Sequence, residues 1–363
     1  MKKIFSNKKK RTVFLIVNAA LLLLAAASFL VMAHLARLLP SQRAAERWQG
    51  ESDMDFAQIS CYIPVDEKVT LSQIYAFRYA MLDKFHEAAL DIDNDESLFV
   101  DAWCTTAKVN ASTSIGHGEA KAIAVGGEFF HFHPIRLLNG NYLSENDLMK
   151  DRVLLDEELA WLLFGGTDLQ GLELRLNGTP FVVGGVIQRE DDFASKKAYT
   201  DGMGLYMSYD AYALLEENAG ITCYELVMPE PVDHFAINFA REKFPIGRGQ
   251  ILQNTGRFAF GHLLSLLGQF GSRSMQTLGV IYPYWENAAR SVEDWCSLLL
   301  LQGFLFALLP GVSLLVLLID MLKKGKTKMA DDVLPQLKDR TEEAIRVRQR
   351  RRWEKRHGAH EKK

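Results

Sequence analysis

Two long apolar stretches, Thr12 to Leu35 and Cys296 to Leu322, constrain this chain more than any other feature. Each holds the roughly 20 residues that a helix needs to cross the hydrocarbon core of a bilayer. Both read as transmembrane helices, over 12–36 and 296–322. A cleaved signal peptide is the rival reading of the first, given its positive start and the small residues Ala25 to Ala27. Its apolar run is longer than a signal core, and no clean A-x-A site closes it. A buried core helix is the rival for the second, but Leu298 to Ile319 is apolar on every face rather than along one stripe, which favours lipid. Asp320 has Lys323 and Lys324 within reach near the headgroups and needs no role in transport.

Charge then orients the pair. The formal net charge of −3 is a cancellation: 1–11 is basic, the tail from Lys323 onward is basic, and most carboxylates lie between Glu46 and Asp294. Lys and Arg flank the outer ends of both stretches in sequence, so the positive-inside rule predicts a two-pass protein of the plasma membrane. Both termini are then cytoplasmic and the acidic middle is extracytoplasmic. Tyr282, Tyr284, Trp285 and Trp295 precede the second span, where an aromatic belt is expected. The expected organisation is a cytoplasmic N-terminus (1–11), the first span (12–36), a stalk that continues the first helix (37–56), an outer domain (57–250), a membrane-proximal amphipathic segment (251–295), the second span (296–322) and a cytoplasmic tail (323–363).

Within the outer domain, "AQISCYIP" reads as a strand and Val69 to Leu90 as an amphipathic helix. "SLFVDAWCTTAKVNAST" and "EAKAIAVGGEFFHF" read as long strands. "LELRLNGTPFVVGGVIQ" reads as a hairpin on an Asn177-Gly178 turn. Strand and helix then alternate through "LYMSYDAYALLEE", "CYELVMP" and "VDHFAINFAREKF". The fold class expected is an α+β extracytoplasmic domain of two subdomains between two transmembrane helices, with about 127–190 as the inserted subdomain.

The residues that could carry chemistry each have a structural explanation in the sequence. "VLLDEELAWLLFGG" sets Asp156, Glu157 and Glu158 between apolar runs. Asp156 stands where a side chain caps a helix, the two glutamates fall in the first turn where they complement the dipole, and Gly165 suits a left-handed stop. Each acid thus has a structural task, and no partner base or metal ligand lies at suitable spacing. His131 and His133, on one face if in a strand, lack the third and fourth ligands that zinc needs and read as surface histidines. "DIDNDES" imitates a calcium loop, but Glu96 replaces the glycine at position 6 and Ala102 the glutamate at position 12. There is no phosphate loop, G-x-S-x-G, H-E-x-x-H or dinucleotide fingerprint. Cys61, Cys104 and Cys223 show no framework spacing and read as free buried thiols. No enzyme, cofactor or metal is expected. The tail block "RVRQRRRWEKR" suits anionic lipid headgroups rather than nucleic acid, with a solvated topogenic tail as the plainer account.

The order of these features resembles the first part of a MacB-like ABC transporter permease. "AIAVGGEFFHFHPIRLLNGNYLSENDLMKDRVLLDEELAWLLFGG" followed by "GLELRLNGTPFVVGGVI" is similar to that family's periplasmic core domain. The matching fold-motif positions include Gly126, Phe129, Phe130, Gly140, Asp147, Asp156, Glu157, Gly165, Gly178 and Gly185. The resemblance implies a mechanical role and assigns no catalytic residue. It also implies further membrane helices and a coupling segment, against which this chain reads as truncated. The expectation is a non-enzymatic permease-like subunit of an ABC-type transport or mechanotransmission complex, its outer domain binding a partner or exported substrate. Its partners would be a separate ABC ATPase, a full-length permease, or both, and a homo-oligomer is compatible. A stand-alone membrane adaptor or sensor is the first alternative, and an anchored extracytoplasmic enzyme the second.

Overall fold

The structure is a computed structural model describing residues 8–88, 90, 98–199, 202–270, 273, 275, 278–328 and 334–357. The calcium-like stretch 91–97 lies outside them. The chain divides into two compact units, one of 30–300 and one of 1–29 with 301–363.

The unit of 30–300 is an α+β domain. After the first long helix, α1 (Lys8–Leu35), come a 3-10 turn (Pro40–Gln42) and α2 (Ala44–Gln49). The stalk therefore does not continue α1 as the sequence suggested, and the irregular segment runs straight into Pro40. Then follow β1 (Phe56–Tyr62), α3 (Leu71–Glu87), β2 (Val100–Ser112), β3 (His117–Gly127), α4 (Phe129–Phe132), β4 (Arg136–Gly140) and β5 (Arg152–Asp156). After these come α5 (Glu157–Phe164), β6 (Glu173–Leu176), β7 (Thr179–Gln188), α6 (Phe193–Ala198), β8 (Gly204–Ser208) and α7 (Tyr209–Leu215). β9 (Cys223–Pro229), α8 (Phe235–Lys243), β10 (Gln250–Gln253) and α9 (Phe260–Leu266) complete the domain before α10 (Tyr284–Lys328) and α11 (Leu334–His357).

The strands form one mixed sheet in the order β10-β1-β9-β2-β3-β8-β5-β7-β4, with β6 bridging β2 and β7. β3 pairs with β8 and β5 with β7 in parallel, and the remaining pairs are antiparallel. Of the strands of 127–190, β5, β7 and β4 occupy one end of this sheet, joined to the rest through β8, while β6 pairs directly with β2. β1 is buried at every residue, as a strand covered on both faces must be. α3 starts where the Thr70 N–H donates to Gln73 Oε1 at 2.9 Å, and it buries Ile74, Phe77, Met81 and Phe85 at helical spacing. The hairpin turns on Asn177 (φ 48°) and Gly178 (φ 90°), both left-handed, as a two-residue loop matching the strand twist requires. All four cysteines are free and buried.

In the other unit, Phe29 meets Phe304 edge to face at 5.8 Å above Gly303, where a side chain would collide with the Phe29 ring. α1 and α10 are each long and apolar enough to cross a membrane, and large apolar side chains such as Leu23 and Leu305 stand exposed along them. Two such helices flanking an α+β domain fit a membrane protein with an extracytoplasmic domain.

Candidate functional site

The acids that the sequence singles out are placed as a helix start. Asp156 ends β5 in an extended conformation, and its Oδ1 accepts from the Leu159 N–H at 2.7 Å. Glu157 and Glu158 are exposed in the first turn of α5, and Gly165 closes the helix at φ 75°. The buried face is Leu159, Ala160 and Leu163, while Leu162 stays 43% exposed. The structure adds what spacing did not show. Asp156 is buried, and its Oδ2 accepts from Arg189 and from the Gly204 N–H. Burial raises its pKa more than Arg189 and the backbone donors lower it, so the carboxyl sits above the ordinary range.

The other motif residues are equally structural in their placement. Gly126 lies against the Trp103 indole, where a Cβ would stand 2.3 Å from Nε1. Gly140 and Gly185 let β4 and β7 approach closely, with a Cβ on Gly140 falling 2.2 Å from the Gly184 carbonyl oxygen. Asp147 Oδ2 accepts from the Ser144 N–H at 3.0 Å and lies 3.6 Å from Arg152. Phe130 stacks on Tyr142, and Phe129 is buried.

Phe129 leads to the feature that the sequence reading missed, a socket around the first turns of α10. Three consecutive side chains are gripped by three different parts of the domain. Tyr284 stacks on Tyr199 at 4.1 Å and donates to Glu190 Oε1 at 3.0 Å. Trp285 packs against His133 at 4.3 Å and Phe129 at 5.7 Å. Glu286 accepts from Arg257 through both oxygens, at 2.9 and 3.0 Å, and from the Tyr62 hydroxyl at 3.2 Å. Tyr282, Tyr284 and Trp285 are buried here, so they do not form the lipid-facing belt expected of them; Trp295 alone of the four is half exposed. The aromatic pattern is the same for a membrane interface and a domain core, and only packing separates them.

One helical repeat further on, Glu293 accepts from Arg257 Nε at 2.8 Å and from Arg273, whose Nε also donates to Asp294 at 2.7 Å. Arg257 spends its remaining donor capacity on Gln42 Oε1 at 2.7 Å, and Gln42 also accepts from Asn254 Nδ2 at 2.8 Å. The Ser60 hydroxyl is 2.9 Å from Asn254 Oδ1 and 3.1 Å from Glu225 Oε1. Glu225 in turn pairs with His133. The lattice thus runs from the segment after α1, through β1 and β9, to the base of α10. Gln42, Arg257, Glu286 and Glu293 are all buried. Burial pulls the Arg257 pKa down, but Glu286 and Glu293 outweigh it and leave it raised. Burial pushes Glu293 up, and Arg257, His262 and Arg273 together hold it far below the ordinary carboxylate range.

His133 is therefore not a surface histidine, and a helical turn rather than a strand carries the pair. His131 Nε2 lies 3.3 Å from the Ala44 carbonyl oxygen while His133 is buried on Glu225, so the two rings serve different partners. Among the described residues no group of three His, Cys, Asp or Glu side chains converges as a metal site. The buried carboxylates of the socket are each hydrogen-bonded to a guanidinium, hydroxyl or imidazole, which satisfies them away from water. The lattice forms one wall of a polar cleft of about 750 Å³ that Arg241, Gln250 and Arg290 also line. A signal was present in the sequence: Glu286 and Glu293 are seven apart, on one face of a helix leading into an apolar run.

No protein-family model matches the chain, and no curated protein matches it. Among solved structures it is similar to the extracellular domain of the noncanonic ABC-type transporter YknZ from Gram-positive bacteria. The identity is 15% over 52% of this chain and 92% of that one, with a TM-score of 0.37. It is similar to the periplasmic region of MacB from Actinobacillus actinomycetemcomitans, at 12% identity over 55% of this chain and 89% of that one and a TM-score of 0.38. A domain of a putative permease protein from Porphyromonas gingivalis matches at 12% identity over 55% and 88%, with a TM-score of 0.32.

Proposed function

We propose that the chain is a non-enzymatic, permease-like membrane subunit of an ABC-type transport or mechanotransmission complex. Its termini lie in the cytoplasm, and its outer domain binds a partner or an exported substrate. ATP binding is supplied by a separate ATPase, and a full-length permease completes the membrane path.

The observation that carries this reading is the socket. A lever must be fixed rigidly to what it moves, and the first turns of α10 are held by ion pairs, stacked rings and hydroxyls anchored on β1, β8 and the segments after β7 and β10. The segment after α1 joins the same lattice through Gln42. The two routes from the apolar helices into the domain therefore meet at one charged knot. A ligand in the adjoining cleft would bear on that knot directly.

The test is purification of the full chain in mild detergent. An ATPase carrying a phosphate loop, identified by mass spectrometry and retaining ATP hydrolysis, should accompany it, and truncation after Lys328 should weaken the association if the tail is the contact. A chain recovered alone, at low and at physiological salt, would instead favour the adaptor. Orientation is tested by single cysteines at two exposed positions. An impermeant reagent on intact cells should modify Ser72→Cys and spare Gln349→Cys.

A further inference from the structure

The helix α11 (Leu334–His357) has no apolar face that would explain its being a helix. Its second half carries seven Lys and Arg against one Glu between 345 and 357. Arg346, Arg348, Arg350, Arg351 and Arg352 are exposed, and at 100° per residue they spread around most of the circumference. Ile345, Val347 and Trp353 are exposed too, 55%, 48% and 63%, and point in three directions rather than one. Arg346 with Arg350, and Arg348 with Arg352, are like charges one turn apart, which destabilises an isolated helix. Favourable help comes from the placing of cations at the C-terminal end and from acids at helical spacing, such as Glu342 four residues ahead of Arg346 and Glu354 four residues after Arg350, yet seven cations still face one acid between 345 and 357. A helix charged in this way gains most from an extended anionic surface that neutralises the whole girdle.

Position supplies such a surface. Only five residues separate Lys328, the end of α10, from Leu334. At about 3.5 Å per residue that tether reaches about 20 Å, so a helix following a membrane span stays beside the bilayer. We propose that α11 lies on the membrane surface and is held there by anionic phospholipid headgroups, with the arginines from 346 to 352 as the binding set. The proposal rests on 296–322 being a membrane span and is independent of any ATPase partner. Duplex nucleic acid offers the same phosphates, but the tether makes the lipid the nearer source.

The full chain is placed in lipid nanodiscs of phosphatidylcholine alone, or of phosphatidylcholine with phosphatidylglycerol, and digested with a Glu-specific protease that cuts after Glu342, Glu343 and Glu354. Anionic discs should slow these cuts by at least about tenfold, and raised salt should restore the rate. The variant with Arg346→Gln, Arg348→Gln, Arg350→Gln, Arg351→Gln and Arg352→Gln should be cut equally fast in both discs. Equal cutting of the native chain in both discs overturns the proposal and leaves the span standing, and so does protection that the glutamine variant keeps. Duplex DNA protecting the chain in phosphatidylcholine discs at lower phosphate concentration than the lipid requires overturns it in favour of nucleic acid. A chain that fails to enter discs of either kind overturns both the span and the surface helix.

Discussion

The cap at Asp156 and the knot at Arg257 are both buried carboxylate–guanidinium sites, yet they differ in almost every physical respect. At Asp156 one acid satisfies the start of its own helix three residues away, and Arg189 is a partly exposed addition. At Arg257 the partners come from 42, 286 and 293, and none is local. The acids also titrate in opposite senses. Burial dominates at Asp156 and raises its pKa, whereas Arg257, the hydrogen bond from His262 and Arg273 together outweigh burial at Glu293 and lower it. The difference teaches that a local cap tolerates incomplete charge compensation, while a long-range knot holds only if every charge is answered.

Breaking the knot should have the largest effect. Arg257→Met leaves Glu286 and Glu293 buried without their main partner and should cost about 3–5 kcal/mol, read as a fall in the melting temperature of the full chain in detergent. A loss below about 1 kcal/mol, the scale of an exposed pair, would put the knot on a level with the cap and erase the contrast.

Glu293→Gln should cost less, about 1.5–3 kcal/mol, because Arg257 keeps Glu286 and Arg273 keeps Asp294. Its sharper signature is in pH. Glu293 binds its proton more weakly when folded, so its contribution is present above the ordinary carboxylate pKa of about 4.3 and is lost as pH falls toward its lower folded value. The variant should therefore show a shallower loss of stability on acidification. Asp156, with a raised folded pKa, acts in the reverse sense: its contribution improves as pH falls through that value. If Asp156→Asn flattened the acid limb as much as Glu293→Gln does, the opposite assignments would be wrong.

Asp156→Ala should cost about 1–2 kcal/mol, since it removes the cap and leaves the Gly204 N–H without its acceptor. Glu157→Gln, on an exposed first turn, should stay within about 0.5 kcal/mol. Loss of a partner or of transport at unchanged melting in either variant would move this site from scaffold to chemistry.

The contrast also explains what the sequence made legible. α5, the Asn177-Gly178 hairpin and the paired glycines at Gly140 and Gly185 rest on contacts a few residues apart or on backbone conformations that few residue types adopt, so residue type and spacing reveal them. The socket depends on partners up to 224 residues apart, as between Tyr62 and Glu286. Tyr284 and Trp285 ahead of an apolar run read as a membrane belt because amphipathic rings serve an interface and a polar-lined core alike. His133 read as a surface residue because nothing in "FFHFHP" announces Glu225.

By itself the sequence determined two membrane-long apolar helices, a basic tail, an α+β domain between them and the local chemistry of each helix start and turn. These follow from hydropathy, charge and backbone preference, which act over one or two turns of chain. The tertiary structure alone decided that Gln42, Arg257, Glu286 and Glu293 are one object, and that the base of α10 is seated in the sheet. Charges of opposite sign attract without a preferred sequence interval, so only the folded path of the chain selects which of them meet away from water.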